Sequence, residues 1–373
     1  MTGAHVIDLG IGEPQPRLLP LDSFRQAAAH RLALPGNDYL QYAPEQGWGS
    51  LRGEIARFLT GWTPHPVEPD ELLITAGASH GLDLVLSRCT RPGDTIVVED
   101  PTYFFALEVF RDRGLRVLGV PIDGDGLDVD ALDELLSTER PRLLYTVPVC
   151  NNPTGVTLSP GRRARLAGLA ARHDLLIVAD EVYHLLGDAG PAVPSLRAAA
   201  PDRVLSLGSF SKIFAPGLRL GWIHASRERL AHLLQDGELR SAGGASPVAG
   251  AVMESALALG LQDRFLKEIR ELYAARRRHM VRLLAATLPP EVTFEPPDGG
   301  YYVWLRLPGH VDTAALLPAA AQAGVAYRPG SLCSWRGGHA CCMRLCFVHY
   351  DEPDLTEGCE RLAAFLRAHL RAL

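Results

Sequence analysis

The sequence lacks any apolar run long enough to cross a bilayer. Its longest candidate, Ala245 to Leu261, is interrupted by Pro247 and Glu254. The first residues do not show the basic-then-apolar order of a secretion signal. Positive charge is not in excess: 37 Lys and Arg stand against 43 Asp and Glu, a formal net charge of −6. A general nucleic-acid binder needs a basic face, so neither nucleic acid nor a membrane is an expected partner. The seven cysteines (Cys89, Cys150, Cys333, Cys341, Cys342, Cys346 and Cys359) include no CxxC pair matched by a second one. A zinc ribbon is therefore not expected, nor any other metal site, and the cysteines read as buried, reduced thiols. Internal repeats, charge blocks and low-complexity linkers are absent too. The expected compartment is the cytoplasm.

What remains is a chain of 373 residues, long enough for two domains with cores of their own. From Leu72 to Ile223 short apolar runs alternate with helical stretches. The runs are Leu72 to Thr75, Thr95 to Asp100, Arg116 to Ile122, Arg142 to Pro148, Leu175 to Glu181 and Arg203 to Ser209. Continuous apolar runs with helices between them predict a mostly parallel sheet buried on both faces, an α/β architecture whose ligands lie at the carboxyl ends of strands. Leu261 to Leu288 predicts one long helix stopped by Pro289 and Pro290. Beyond it, short strands and helices predict a smaller α+β domain, with Met1 to Leu34 packing onto it across the mouth of the site.

Several strand ends carry chemistry. Ser206 to Trp222 holds a single lysine, Lys212, among small and hydroxyl residues, with Arg219 close behind. An amine so placed suits a Schiff base with a carbonyl, while Ser209, Ser211 and a guanidinium suit a phosphate; Gly208 and Gly217 leave room for backbone to approach a ligand. The plain alternative is a solvated loop lysine. Thr75 to Cys89 passes from strand end to helix start, a place for phosphate or simply a serine-capped turn. Tyr103, after Pro101, offers a flat face to a flat heteroaromatic ring, with Phe104 the alternative for that role and core packing the alternative reading. In VPVCNNPTG, Asn151 and Asn152 open a polar turn at a strand end, by itself also compatible with an Asx-turn. Asp180 follows an apolar run, and a carboxylate so buried needs a cationic partner. Arg344 lies between apolar residues, where a guanidinium needs an anion, a substrate carboxylate or an internal salt-bridge partner. Gly10 and Gly12 do not form a dinucleotide fingerprint, because no third glycine opens a helix after a buried strand.

Taken in order, Asn152, Asp180, Tyr183, Lys212 and Arg219 resemble the site residues of the fold-type I pyridoxal 5'-phosphate enzymes, the aspartate aminotransferase superfamily. The resemblance covers nearly the whole chain. Leu19 to Phe24 and Asp123 to Leu136 resemble the branch that holds aminoadipate and branched-chain aminotransferases and the MocR-type regulators. The fold begins almost at Met1, so a regulator with a DNA-binding domain is not expected. The resemblance implies a seven-stranded, mostly parallel sheet in a large cofactor domain, residues 37–282, and a small domain formed by 1–36 and 283–373. It implies Lys212 as the Schiff-base lysine and proton carrier, Asp180 against the pyridine nitrogen, and Tyr103 stacked on the ring. Asn152 and Tyr183 would donate to the phenolic oxygen. Gly77, Ala78, Ser79, Ser209, Ser211 and Arg219 would hold the phosphate, joined by Tyr42 of a neighbouring subunit, which makes a homodimer with shared sites. Arg344, with Gly12 and Asn152, would hold the substrate α-carboxylate. The implied reaction is ping-pong transfer of an amino group from an α-amino acid to a 2-oxo acid. The alternative is a decarboxylase, a β/γ-lyase or a carbon–carbon bond-forming enzyme on the same scaffold. Arg328 departs from the family pattern, which has an apolar or small residue there; it either meets a distal acidic group of the substrate or lies on the surface. Trp48, Trp335 and Tyr301 are further candidates for shaping the pocket.

Overall fold

The computed structural model describes residues 6–188 and 193–370. In chain order its strands are β1 (Ile7–Asp8), β2 (Leu72–Thr75), β3 (Thr95–Asp100), β4 (Arg116–Asp123), β5 (Gly126–Leu127), β6 (Leu143–Thr146), β7 (Leu176–Asp180), β8 (Val204–Ser209), β9 (Gly221–His224), β10 (Thr293–Phe294), β11 (Tyr302–Arg306), β12 (Val325–Ala326), β13 (Arg328–Pro329) and β14 (Cys342–Cys346). Seven of them, ordered β2-β9-β8-β7-β6-β3-β4 in space, form the body of the large sheet. The two-residue β5 adds an eighth strand at the β4 edge, one beyond the seven expected. Gly126, at φ 91°, lets the chain double back there and pair antiparallel with β4.

Neighbours from β4 through β8 run parallel, whereas β9 is antiparallel to both β8 and β2. Strands β2, β6, β7, β8 and β9 are buried along their whole length, as helices on both faces require. The sequence pattern does not set β9 apart, because the polar, glycine-broken stretch before it masks the new strand. Gly208 on β8, which the sequence reads as a place for backbone to approach a ligand, packs against the neighbouring strand. A Cβ there would come within 2.1 Å of the Trp222 indole on β9, so the glycine makes room for that ring.

Helices start where the side chains cap them. Asp128 accepts from the backbone N–H groups of Asp130 and Ala131, and Ser159 from that of Arg162. The long helix runs Leu261–Thr287, as its pattern predicts. Among the described residues, no helix is long and apolar enough to cross a membrane.

A second sheet, β10-β11-β14-β13, is antiparallel, and β14 is buried throughout. The N-terminal segment divides between two places. β1 pairs in parallel with β12, and the backbone N–H of Cys346 donates to Leu9 O at 2.6 Å. The helix Leu21–Ala33 packs instead against the helix Pro247–Ala258, with His30 Nδ1 3.0 Å from Ser255 Oγ.

Candidate active site

The carboxyl ends of β7 and β8, the start of the helix Ala78–Cys89 and the two-stranded core of the second sheet, β11 and β14, enclose a cavity of about 530 Å³. That volume suits a small-molecule site. Ala78, Ser79, Tyr103, Asn152, Asp180, Tyr183, Ser209, Ser211, Lys212, Arg219, Arg344 and Gly12 all line it. Residues far apart in sequence are thus gathered at one sheet edge, where open α/β sheets take their ligands.

Asp180 closes β7. Tyr145, on the neighbouring β6, donates its hydroxyl to Asp180 Oδ2 at 2.7 Å. Oδ1 is buried with no partner among the described residues. Burial raises the Asp180 pKa, while the Tyr145 hydrogen bond, the nearby Val182 backbone N–H and the Lys212 charge oppose that rise. An orphaned carboxylate oxygen facing a cavity calls for a cationic N–H.

Lys212 Nζ lies 5.2 Å from the Tyr301 ring and donates to Gly12 O at 3.2 Å. Burial lowers its pKa to about 8, so the amine is neutral just above physiological pH. Tyr301 lines no part of the cavity; its hydroxyl donates to Lys212 O from behind. Trp48 and Trp335 are also outside the lining, Trp335 lying over Gly119.

Another part of the site gathers hydrogen-bond donors. Gly77 occupies the N-cap of the helix Ala78–Cys89 at φ 90°, with no side chain capping the first turn. Arg219, in the left-handed region at φ 48°, brings Nη2 to 3.0 Å from where a Gly77 Cβ would stand. The Ser209 and Ser211 hydroxyls are 2.9 Å apart, and Arg219 Nη1 reaches Ser211 Oγ at 3.5 Å. Open helix N–H groups, two hydroxyls and a guanidinium are a donor set for a dianion.

Arg344, on β14, is 2% exposed. Its Nη1 donates to Asn152 Oδ1 and its Nη2 to Gly10 O, both at 2.9 Å, and its guanidinium lies 4.0 Å from the Tyr302 ring. No internal carboxylate pairs with it among the described residues, and its Nε has no partner. Gly12 approaches closely, since a Cβ there would sit 2.5 Å from the Tyr302 hydroxyl. Tyr183 completes the group, its hydroxyl 3.2 Å from that of Tyr302.

Tyr42 is not part of this cavity; it is 73% exposed. Cys150 is buried behind the Asn151–Asn152 turn, outside the lining, and burial pushes its thiol up to about 12.

Sequence reasoning missed three supporting groups. Tyr145 holds Asp180; its signal was a lone polar tip in the apolar run of β6. Tyr302 stacks on Arg344 where Tyr301 was the candidate. Glu99, at the end of β3, accepts from Thr146 Oγ1, Val147 N and Asn151 Nδ2 and so fixes the NNPTG turn from below. Burial raises its pKa to about 7. Its signal was a charged residue inside a run otherwise buried.

A family model for aminotransferase class I and II matches residues 4–362, and the chain belongs to that family, the fold-type I aminotransferases. An aromatic-amino-acid aminotransferase of Thermococcus litoralis is 33% identical over 377 residues, spanning 99% of this chain and 89% of that protein. A multiple substrate aminotransferase from Thermococcus profundus has a TM-score of 0.92 at 31% identity, spanning 100% of this chain and 93% of that one. The α-aminoadipate aminotransferase of Thermus thermophilus, solved with N-(5'-phosphopyridoxyl)-L-leucine, has a TM-score of 0.90 at 33% identity, spanning 99% and 94%. These likenesses favour amino transfer over the decarboxylase, lyase and carbon–carbon bond-forming alternatives.

Proposed function

We propose that the cavity holds pyridoxal 5'-phosphate and moves an amino group from an α-amino acid to a 2-oxo acid in two half-reactions. The observation that carries this is the orphaned Asp180 Oδ1, buried at a cavity wall between a low-pKa lysine and an anion cradle. The residues present fit the cofactor: a carboxylate for a protonated ring nitrogen, an amine for an aldehyde, and a dianion site for the phosphate.

Bound there, pyridoxal phosphate supplies a carbonyl that takes up the amino group and a ring that draws electrons from the bonds at the substrate Cα. The chain's own groups do the rest. Asp180, steadied by Tyr145, would hold the protonated ring nitrogen. Lys212, neutral above a pKa of about 8, would hold the cofactor and would be the group to carry a proton to and from the substrate Cα. Tyr103 would cover one ring face. Tyr183 and the Asn152 amide would donate to the phenolic oxygen. Gly77, Ala78, Ser79, Ser209, Ser211 and Arg219 would hold the phosphate. Arg344 orients the α-carboxylate, with Gly12 and Asn152 beside it.

The same reading makes the working unit a homodimer, with Tyr42 reaching the partner's phosphate. Support comes from the exposed apolar side chains Leu21, Leu32, Leu34, Leu40 and Tyr42, which a second copy could cover. The division into lobes 37–282 and 1–36 with 283–373 belongs to this proposal too.

The test is a half-reaction. The purified protein, loaded with pyridoxal phosphate, is mixed with single amino acids and no oxo acid. One equivalent of 2-oxo acid per site is expected, and addition of a second 2-oxo acid should return the amino group. Release of carbon dioxide or of the substrate side chain would overturn the reading.

A further inference from the structure

We propose that Arg328 selects the substrate side chain, and that the preferred substrate is an α-amino acid carrying a second carboxylate. This rests on the amino-transfer reading above and adds the substrate class to it.

The sheet register places Arg328 on β13 directly opposite Arg344 on β14. Residues directly opposed in an antiparallel pair project to the same face, and both side chains line the cavity. Both guanidinium carbons lie 5.3 Å from the centre of one ring, that of Phe104. Phe104 is therefore the platform for two cations, whereas the sequence offered it as a substitute for Tyr103.

The two arginines differ in what holds them. Arg344 is anchored by Asn152 Oδ1 and Gly10 O. The Arg328 side chain has no ion pair or hydrogen bond among the described residues, and its Nε is buried with no partner. The acids nearby do not neutralise it. Glu13 lines the same cavity without pairing with either arginine, and Asp100 faces the His339 imidazole, at 3.4 Å, rather than Arg328. A guanidinium laid on an aromatic ring, with its donors unmet and part of its water removed, gains most from an anion. Its planar fork matches a carboxylate. An apolar or aromatic side chain entering beside it would strip the remaining water and return no hydrogen bond. Sites that bury a polar group discriminate strongly against ligands that leave it unpaired.

The test compares the holoprotein with Arg328→Met, which keeps the bulk and removes the charge, and with Arg328→Lys. Half-reactions are run with glutamate, 2-aminoadipate, leucine and phenylalanine. In parallel, the affinity of glutarate, a dicarboxylate with no amino group to transfer, is measured by titration calorimetry. Arg328→Met is expected to raise KM for the two acidic substrates on the order of 30- to 100-fold, with kcat much less affected. KM for leucine and phenylalanine should stay level or fall. Glutarate affinity should drop in step, and Arg328→Lys should recover part of both losses. Equal losses on acidic and apolar substrates, or glutarate affinity indifferent to Arg328→Met, would overturn the proposal. Failure of amino transfer itself would appear as the wrong products, while glutarate affinity still reports on Arg328.

Discussion

Burial decides the properties of the key side chains. Lys212 is the clearest case. An ordinary lysine amine is almost wholly protonated at pH 7, and only the neutral form attacks a carbonyl. Burial lowers the Lys212 pKa from 10.5 to about 8. The sign follows: below pH 8 most molecules carry an inert ammonium, and above it most carry a nucleophile. The rate at which cofactor-free protein takes up pyridoxal phosphate, read from visible absorption, should therefore rise about tenfold per pH unit up to about 8 and then level off. A rate that keeps climbing toward pH 10 would mean that the lysine titrates like one in water. Asp180 and Arg344 carry opposite charges. Each is buried with one polar atom unmatched, the condition that a bound cation or anion relieves.

Strand β8 shows how an element constrains the site it carries. Its end presents Ser209, three residues before Lys212, and its position depends on Gly208 accepting the Trp222 ring, which also packs edge-on against Phe210. Gly208→Ala should push β8 and β9 apart, at a cost of roughly 1–3 kcal/mol. A fall in Tm of at least about 2 °C by calorimetry is expected, together with a changed tryptophan emission. An unchanged Tm would show that the ring has room to move. This glycine also marks the limit of what the sequence discloses. The buried runs of β3, β6, β7 and β8 are legible because a sheet covered on both faces demands continuous apolar residues. The turns NNPTG and ADEVYH are legible because polar groups at the ends of such runs need a reason. Gly208 reads equally well as a ligand approach, since the sequence does not say which bulky side chain crosses the neighbouring strand. Tyr145 and Glu99 are hidden for the same reason: each works through a cross-strand or turn contact that only the register reveals. Arg328 stands out as a charge where an apolar residue is usual, but its role depends on the strand opposite.

At the scale of the whole molecule, the proposal is that one chain does not complete a site. Tyr42 points into solvent in a single chain, beyond the cavity it is meant to serve. Mixing subunits tests this. Lys212→Ala alone should be inactive, and Tyr42→Ala should retain the cofactor poorly. When the two variants are unfolded, mixed in equal amounts and refolded, each hybrid dimer would contain one site with both defects and one with neither. Activity should return to roughly a quarter of the wild-type value. A mixture no more active than the average of its parents would mean that the sites are not shared.

The pairing of β1 with β12 bears on how the protein is made. Asp8 N donates to the hydroxyl of Tyr350, Leu9 N to Ala326 O, and Arg344 Nη2 to Gly10 O. The segment around Gly10 is thus fitted into place by residues hundreds of positions further along the chain. Asp180 and Lys212 emerge before Arg344, the proposed carboxylate fork, and before β14, the strand that seats it. Until β14 is made, a nascent chain would lack the proposed grip on an amino acid, and a message cut short before the codon for Arg344 would yield no partly active product.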